Sequence, residues 1–149
     1  MSDADLINLY SGRILALAAD IPLTDRLENP QASVKRRSPL CGSTITVDVN
    51  LEDGRISAFG QDVKACALGQ AAASVVAANI IGLSETEVQT ARDQLLAMLK
   101  NDGPVPDAPF GDLEVLLPAR DFKNRHASIM LSLEATLEAI QTAQKSACA

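Results

Sequence analysis

The sequence predicts an α+β fold: a three-stranded antiparallel sheet with an N-terminal helix and C-terminal helices packed on it. Three observations carry this. The run "TITVDVNL" alternates apolar and polar residues, Asp53-Gly54 then offers a two-residue turn into a second strand-like run, and from Cys66 onward the apolar period lengthens to three and four. The 149 residues suit one domain, 1–149, able to bury a substantial core. Aromatics make up only 3% and tryptophan is absent, so that core is expected to be built from Ala, Val, Leu and Ile.

Taken in order, residues 3–19 carry Leu6, Leu9, Ile14, Leu17 and Ala18 at helical steps, with a weak point at Gly12. A loop rich in Pro, Asp and Asn follows. "QASVKRRSP" reads as an edge strand, its charges suiting an exposed edge and Pro39 ending it. In the next strand Ile45, Val47, Val49 and Leu51 share one face, while Thr46, Asp48 and Asn50 share the other, so Asp48 is expected in solvent. "EDGR" is a hairpin turn, and "ISAFGQDV" returns antiparallel.

"CALGQAAASVVAANIIG" is apolar or small nearly all round, which predicts a helix buried on most sides and ending near Gly82. Ser84 and Glu87 have capping-box spacing at the start of "ETEVQTARDQLLAMLK", which Asn101-Asp102-Gly103-Pro104 stops. "DGPVPDAPFGD" reads as a surface loop. A last helix, from about Asn124 to Lys145, carries Ile129, Leu133, Leu137 and Ile140 on one stripe.

Charge and apolar runs narrow the function. The formal net charge is −6 and the only basic run, Lys35-Arg36-Arg37, is short, which speaks against nucleic acid as a partner. No segment approaches the ~18 apolar residues of a membrane span, and "MSDADLINLY" has neither the basic start nor the apolar stretch of a signal peptide. The expectation is a cytoplasmic protein. There, an odd count of three cysteines points to thiols or metal ligands rather than to a disulfide framework.

Two of those cysteines lie at the ends of elements. Cys41 falls between Pro39-Leu40 and Gly42, in the connection between two strands, where glycine permits a tight backbone. Cys66 falls at the start of the buried helix, where unpaired N–H groups and the positive end of the dipole favour thiolate. Thiolate is the form that binds metal or attacks sulfur. The bland account, in which both are small buried hydrophobes, has equal weight on spacing alone, because neither belongs to a CxxC pair.

"LCGSTITVDVNLEDGRISAFGQDVKACALGQAAASVVA" resembles the core of the U-type iron–sulfur cluster assembly scaffolds, the IscU, SufU and NifU N-terminal group. Pro39, Cys41 and Gly42 match the first cysteine motif. Lys64-Ala65-Cys66-Ala67, with Gln70-Ala71 and Ser74, matches the second. "LYSGRILALAADIPLTDRLENP" and "RHASIMLSLEATLEAI" are similar to the family's first and last helical regions, and the helix before the proline-containing insertion looks most like the SufU branch. The resemblance implies a protein that binds iron, a transient iron–sulfur cluster or zinc, takes sulfur from a cysteine desulfurase, and passes it to apo-protein cluster recipients. It implies a scaffold, not an enzyme.

The same resemblance implies a ligand set of three cysteines and an aspartate, sometimes with a histidine, and this chain departs from it twice. Ser43 stands where the aspartate belongs. The third cysteine is replaced as well: one register puts Ala127 in its place and retains His126, while another, set from Phe122 and Arg125, puts Ser128 there. Cys148 lies roughly five to six helical turns further on, too far to substitute unless the tail folds back. The candidate metal set is therefore Cys41, Cys66 and His126, with Cys41 and Cys66 the cluster-binding pair. Two thiolates and an imidazole leave a tetrahedral position open, and a two-iron cluster would lack two or more ligands, which a homo-oligomer or a partner could supply.

The remaining charges have two accounts each. Asp62, four residues before Cys66, is expected to cap a turn or to lie near the site. Lys123 and Arg125 are surface charges or electrostatic support for a thiolate or persulfide. Lys35-Arg36-Arg37 protects an edge or docks an acidic partner. No Ser/His/Asp arrangement, phosphate-binding glycine loop or paired-carboxylate site is evident. The alternative to a scaffold is a degenerate paralogue that keeps the fold and acts as a binding, regulatory or metal-carrier module.

Overall fold

The computed structural model describes residues 11–39 and 42–147, with backbone alone at 146 and 147. The described elements are helix α1 (Gly12–Ala19), strands β1 (Ala32–Arg37), β2 (Thr44–Glu52) and β3 (Arg55–Lys64), helices α2 (Ala67–Asn79) and α3 (Glu85–Lys100), two 3-10 segments (Gly111–Asp121 and Lys123–Arg125) and helix α4 (His126–Ala147). The strands form an antiparallel sheet in the order β1-β2-β3. The expected first half of the N-terminal helix, with Leu6 and Leu9, falls outside the described residues. The helix that is described begins at Gly12, capped by the Ser11 hydroxyl, which accepts from the Ile14 N–H at 3.4 Å.

Alternation places Ile45, Val47 and Val49 in the core, where α4 crosses β1 and β2. Helix α2 is buried along almost its whole length and packs against both α1 and α4. Its alanines allow that close approach from two sides. Asp53 and Gly54 both have positive φ, 54° and 77°, the conformation of a type I′ hairpin turn that suits the twist of β2 and β3. Ser84 and Glu87 form the expected capping box at α3.

Asp48 corrects the solvent expectation. Its side chain is fully buried, because the loop before β1 wraps the free edge of β3 and returns over the outer face of the sheet. The Gln61 N–H donates to Leu23 O at 3.0 Å, and Gly60 admits the loop so closely that a Cβ there would stand 2.5 Å from Asp25 O. Asp48 then accepts from Arg26 through both Nε and a terminal nitrogen, from the Leu27 N–H at 3.1 Å and from Ser33 Oγ at 2.6 Å. Burial alone would push its carboxyl up. The hydrogen bonds from Arg26, Ser33 and Leu27 and the guanidinium charge outweigh burial and hold it below the ordinary carboxylate range.

The region after the proline-rich loop winds as a 3-10 segment that buries Leu113, Val115, Leu116 and Ala119. Periodicity did not flag it, since three residues per turn produce neither the helical nor the strand pattern. Arg120 fastens it by donating to Met98 O and Gly103 O at 2.7 and 2.6 Å, satisfying carbonyls at and beyond the end of α3. Among the described residues no helix is long and apolar enough to cross a membrane.

Candidate functional site

The connection from β1 to β2 closes on itself. The Ser38 N–H donates to Ser43 O at 2.8 Å and the Gly42 N–H to Ser38 O at 3.0 Å. Gly42 has φ +67°, a left-handed conformation in which a side chain would be strained. Cys41 belongs to this turn in sequence and lies outside the described residues, as does Cys148. The register then brings the turn to the second cysteine motif. Thr44 at the start of β2 pairs with Lys64 at the end of β3, so Ser43 and the segment after Lys64 leave the sheet side by side.

Cys66 is the N-cap of α2, with extended backbone (φ −67°, ψ 169°) and no side-chain capping bond. Its carbonyl accepts from the Gln70 N–H at 2.9 Å, and the Gln70 side chain donates to Ala65 O at 2.9 Å, which fixes the turn beneath the sulfur. The half-buried Sγ stands 3.6 Å from Ser128 Oγ, which donates to Ser43 Oγ at 3.0 Å. Ser128 lies in the first turn of α4, and both it and Ser43 are buried. Three segments distant in sequence thus converge on one sulfur and two hydroxyls. Of the two registers, the structure brings Ser128 to Cys66.

Gly69 makes the convergence possible, and the sequence reading passed over it. A Cβ on Gly69 would lie 2.6 Å from Ser128 Oγ and 2.9 Å from the Ala65 methyl. The available signal was a glycine inside an otherwise alanine-rich helix, where it carries a propensity cost and so implies a close neighbour.

His126 opens α4, the helix that carries Ser128. Its ring is buried and its Nε2–H donates to Ala119 O at 2.8 Å, while Nδ1 has no protein partner among the described residues. The ring lines a hollow together with Leu99, Lys100, Arg120, Asp121 and Lys123, so Lys123 also faces that hollow. Arg36 pairs with Glu134 and Glu138 of α4 at 3.1 Å each, tying the edge strand to the last helix, while Lys35 and Arg37 are exposed. Asp62 lies exposed within β3, 3.9 Å from Lys64, and makes no turn-capping bond among the described residues.

Comparison with solved structures places this geometry. The fold superposes on the N-terminal part of a nitrogen-fixing NifU-like protein from Brucella abortus with a TM-score of 0.92 and 40% identity, over 95% of this chain and 98% of that one. The chain belongs to the NifU-like, U-type family. This U-type protein also shares its fold, at a TM-score of 0.81 and 17% identity over 90% of its length and 98% of the other, with a putative iron–sulfur cluster assembly scaffold protein for the SUF system from the thermophile Fervidobacterium islandicum AW-1. No family model and no curated protein matches it.

The donor set can be tested against a resident metal. Zinc takes thiolate sulfur, imidazole nitrogen or carboxylate oxygen. Among the described residues no group of three His, Cys, Asp or Glu side chains stands together. The described part of the site offers one such donor, Cys66, beside two neutral hydroxyls. Even with Cys41 added, the set does not fit a closed tetrahedral site within one chain.

Proposed function

We propose that this U-type protein is an iron–sulfur cluster assembly scaffold that takes sulfane sulfur from a cysteine desulfurase on Cys41 and Cys66. It carries sulfur, and iron or a nascent cluster as cargo, to apo-protein recipients in the cytoplasm. The observation that supports this most is the convergence of the segments carrying both cysteine motifs with the first turn of α4, at Cys66, Ser43 and Ser128. The fold and the 40% identity to the NifU-like protein support the family role. Zinc or iron would be held by Cys41 and Cys66, with His126 a third ligand through Nδ1, the nitrogen that its bond to Ala119 O leaves open. The ligands still missing would come from a second subunit or from the partner, which suits cargo that is handed on.

A second reading, a paralogue that keeps the fold as a binding or metal-carrier module without assembling clusters, is favoured by the hydroxyls at two ligand positions. One experiment separates the two. Protein purified without oxygen is assayed for iron, acid-labile sulfide and sulfur accepted from a cysteine desulfurase, beside a Cys41→Ser, Cys66→Ser double variant. Sulfur uptake that vanishes in the variant is expected for the scaffold. Equal folding with no sulfur taken up by either protein would overturn it in favour of the second reading.

A further inference from the structure

We infer that Ser43 and Ser128 make this a site that retains sulfur on Cys66 and does not, in a single chain, retain a tetrahedral metal ion. The inference rests on the sulfur-accepting role proposed above and deepens it. Spacing comes first. Donors held ~2.0–2.3 Å from a tetrahedral ion stand roughly 3.3–3.8 Å from one another. Cys66 Sγ and Ser128 Oγ are separated by 3.6 Å, a ligand-edge distance, whereas Ser128 Oγ and Ser43 Oγ are drawn together to 3.0 Å by a hydrogen bond. One spacing would suit a metal's ligands, and the other is that of a hydrogen bond between two hydroxyls.

The changed donors do a different job. A hydroxyl both donates and accepts, so Ser128 can meet Cys66 as acceptor or as donor. With Cys66 a thiol, S–H donates to Ser128, which donates to Ser43. With Cys66 a thiolate, the Ser128 O–H rotates to the sulfur. Both serines are buried, at 1% and 4% exposure, so water competes little for them. Gly69 carries no side chain where Ser128 Oγ sits, and its Cβ-less backbone keeps that oxygen in reach of the sulfur.

Sulfur exchange needs no more than this. The Cys66 thiolate attacks the terminal sulfur of a donor persulfide, R–S–SH; a new S–S bond forms at Cys66 and the donor S–S bond breaks. The donor leaves as R–S⁻ and Cys66 becomes Cys66–S–SH. Atoms and charge balance, and no external oxidant or reductant takes part. The hydroxyl of Ser128 is a hydrogen-bond donor to the sulfur before and after the exchange.

The test restores the donors. Wild type, Ser43→Asp/Ser128→Cys and Ser128→Cys are loaded with zinc or cobalt(II) alone, desalted, and assayed for bound metal and for cobalt–thiolate absorption, with thermal unfolding to establish folding. Wild type is expected to retain far less than one ion per chain. The double variant is expected to retain about one, lost again when Cys66→Ser is added, and Ser128→Cys alone is expected to gain the thiolate absorption. Wild type holding one ion per chain as firmly as the double variant would overturn the inference, and so would folded variants that gain none. Treatment with glutathione persulfide, followed by peptide mass spectrometry, reads the underlying role separately. One sulfur added at Cys66 is expected, and its absence, with the metal results as expected, would overturn the sulfur-accepting role and leave the metal-excluding role of the serines standing.

Discussion

Replacing Asp48 by alanine removes the fastening that holds the wrapping loop on the sheet. The carboxylate is wholly inaccessible and receives four hydrogen bonds, two of them from Arg26, whose side chain is 49% exposed. In the variant, Arg26 turns to water, so the lost ion pair contributes little to the penalty. The cost falls on the Leu27 N–H, left without its acceptor at ~1–3 kcal/mol, since the exposed Ser33 hydroxyl turns to water. A loss of about 1–3 kcal/mol follows, or a Tm lower by about 3–12 °C for a chain of this size. Urea unfolding should show a lower midpoint at unchanged slope. Acid supplies the sign. The native carboxyl titrates below its unfolded value of ~3.9, so its contribution is complete above roughly pH 5 and disappears as pH falls through 3.9 toward the lower native value. The gap between wild type and Asp48→Asn should therefore narrow in acid. A loss under about 1 kcal/mol for Asp48→Ala, or a gap that does not narrow, would refute the reasoning.

Two further substitutions test the scaffold around the site. Gly69→Ala sets overpacking of ~1–3 kcal/mol against a helix-propensity gain of ~1 kcal/mol, so a net loss of up to about 2 kcal/mol is expected in denaturant titration, and Ser128→Ala, which removes the nearest clash, should recover part of it. Ser84→Ala breaks the capping box of α3 and should cost about 1 kcal/mol in the same assay, with no effect on sulfur uptake at Cys66.

Much of the fold is local and was readable for that reason. The alternation of Ile45, Val47 and Val49, the Asp53-Gly54 turn and the Ser84–Glu87 box each involve residues a few positions apart, where periodicity and turn chemistry act directly. The same alternation misplaced Asp48. A polar residue on the outer face of a strand reads as solvated until another segment covers it, and the Pro22–Leu27 loop that does so was just a loop by composition. The 3-10 segment from Gly111 to Asp121 stayed invisible because its period matches neither regular pattern.

By itself the sequence determined the α+β order of elements, the U-type resemblance, the two cysteine motifs and the absence of the aspartate and third cysteine, because all of these are written as residue identities and short spacings. The tertiary structure decided what stands in their place. That Ser128 and not Ala127 reaches Cys66, that Ser43 completes the chain of hydroxyls, and that His126 bonds to Ala119 depend on how α4 starts above the ends of β3 and α2. A helix turns about 100° per residue, so neighbours at 126, 127 and 128 point in different directions, and only packing across more than sixty residues of sequence settles which of them faces the sulfur.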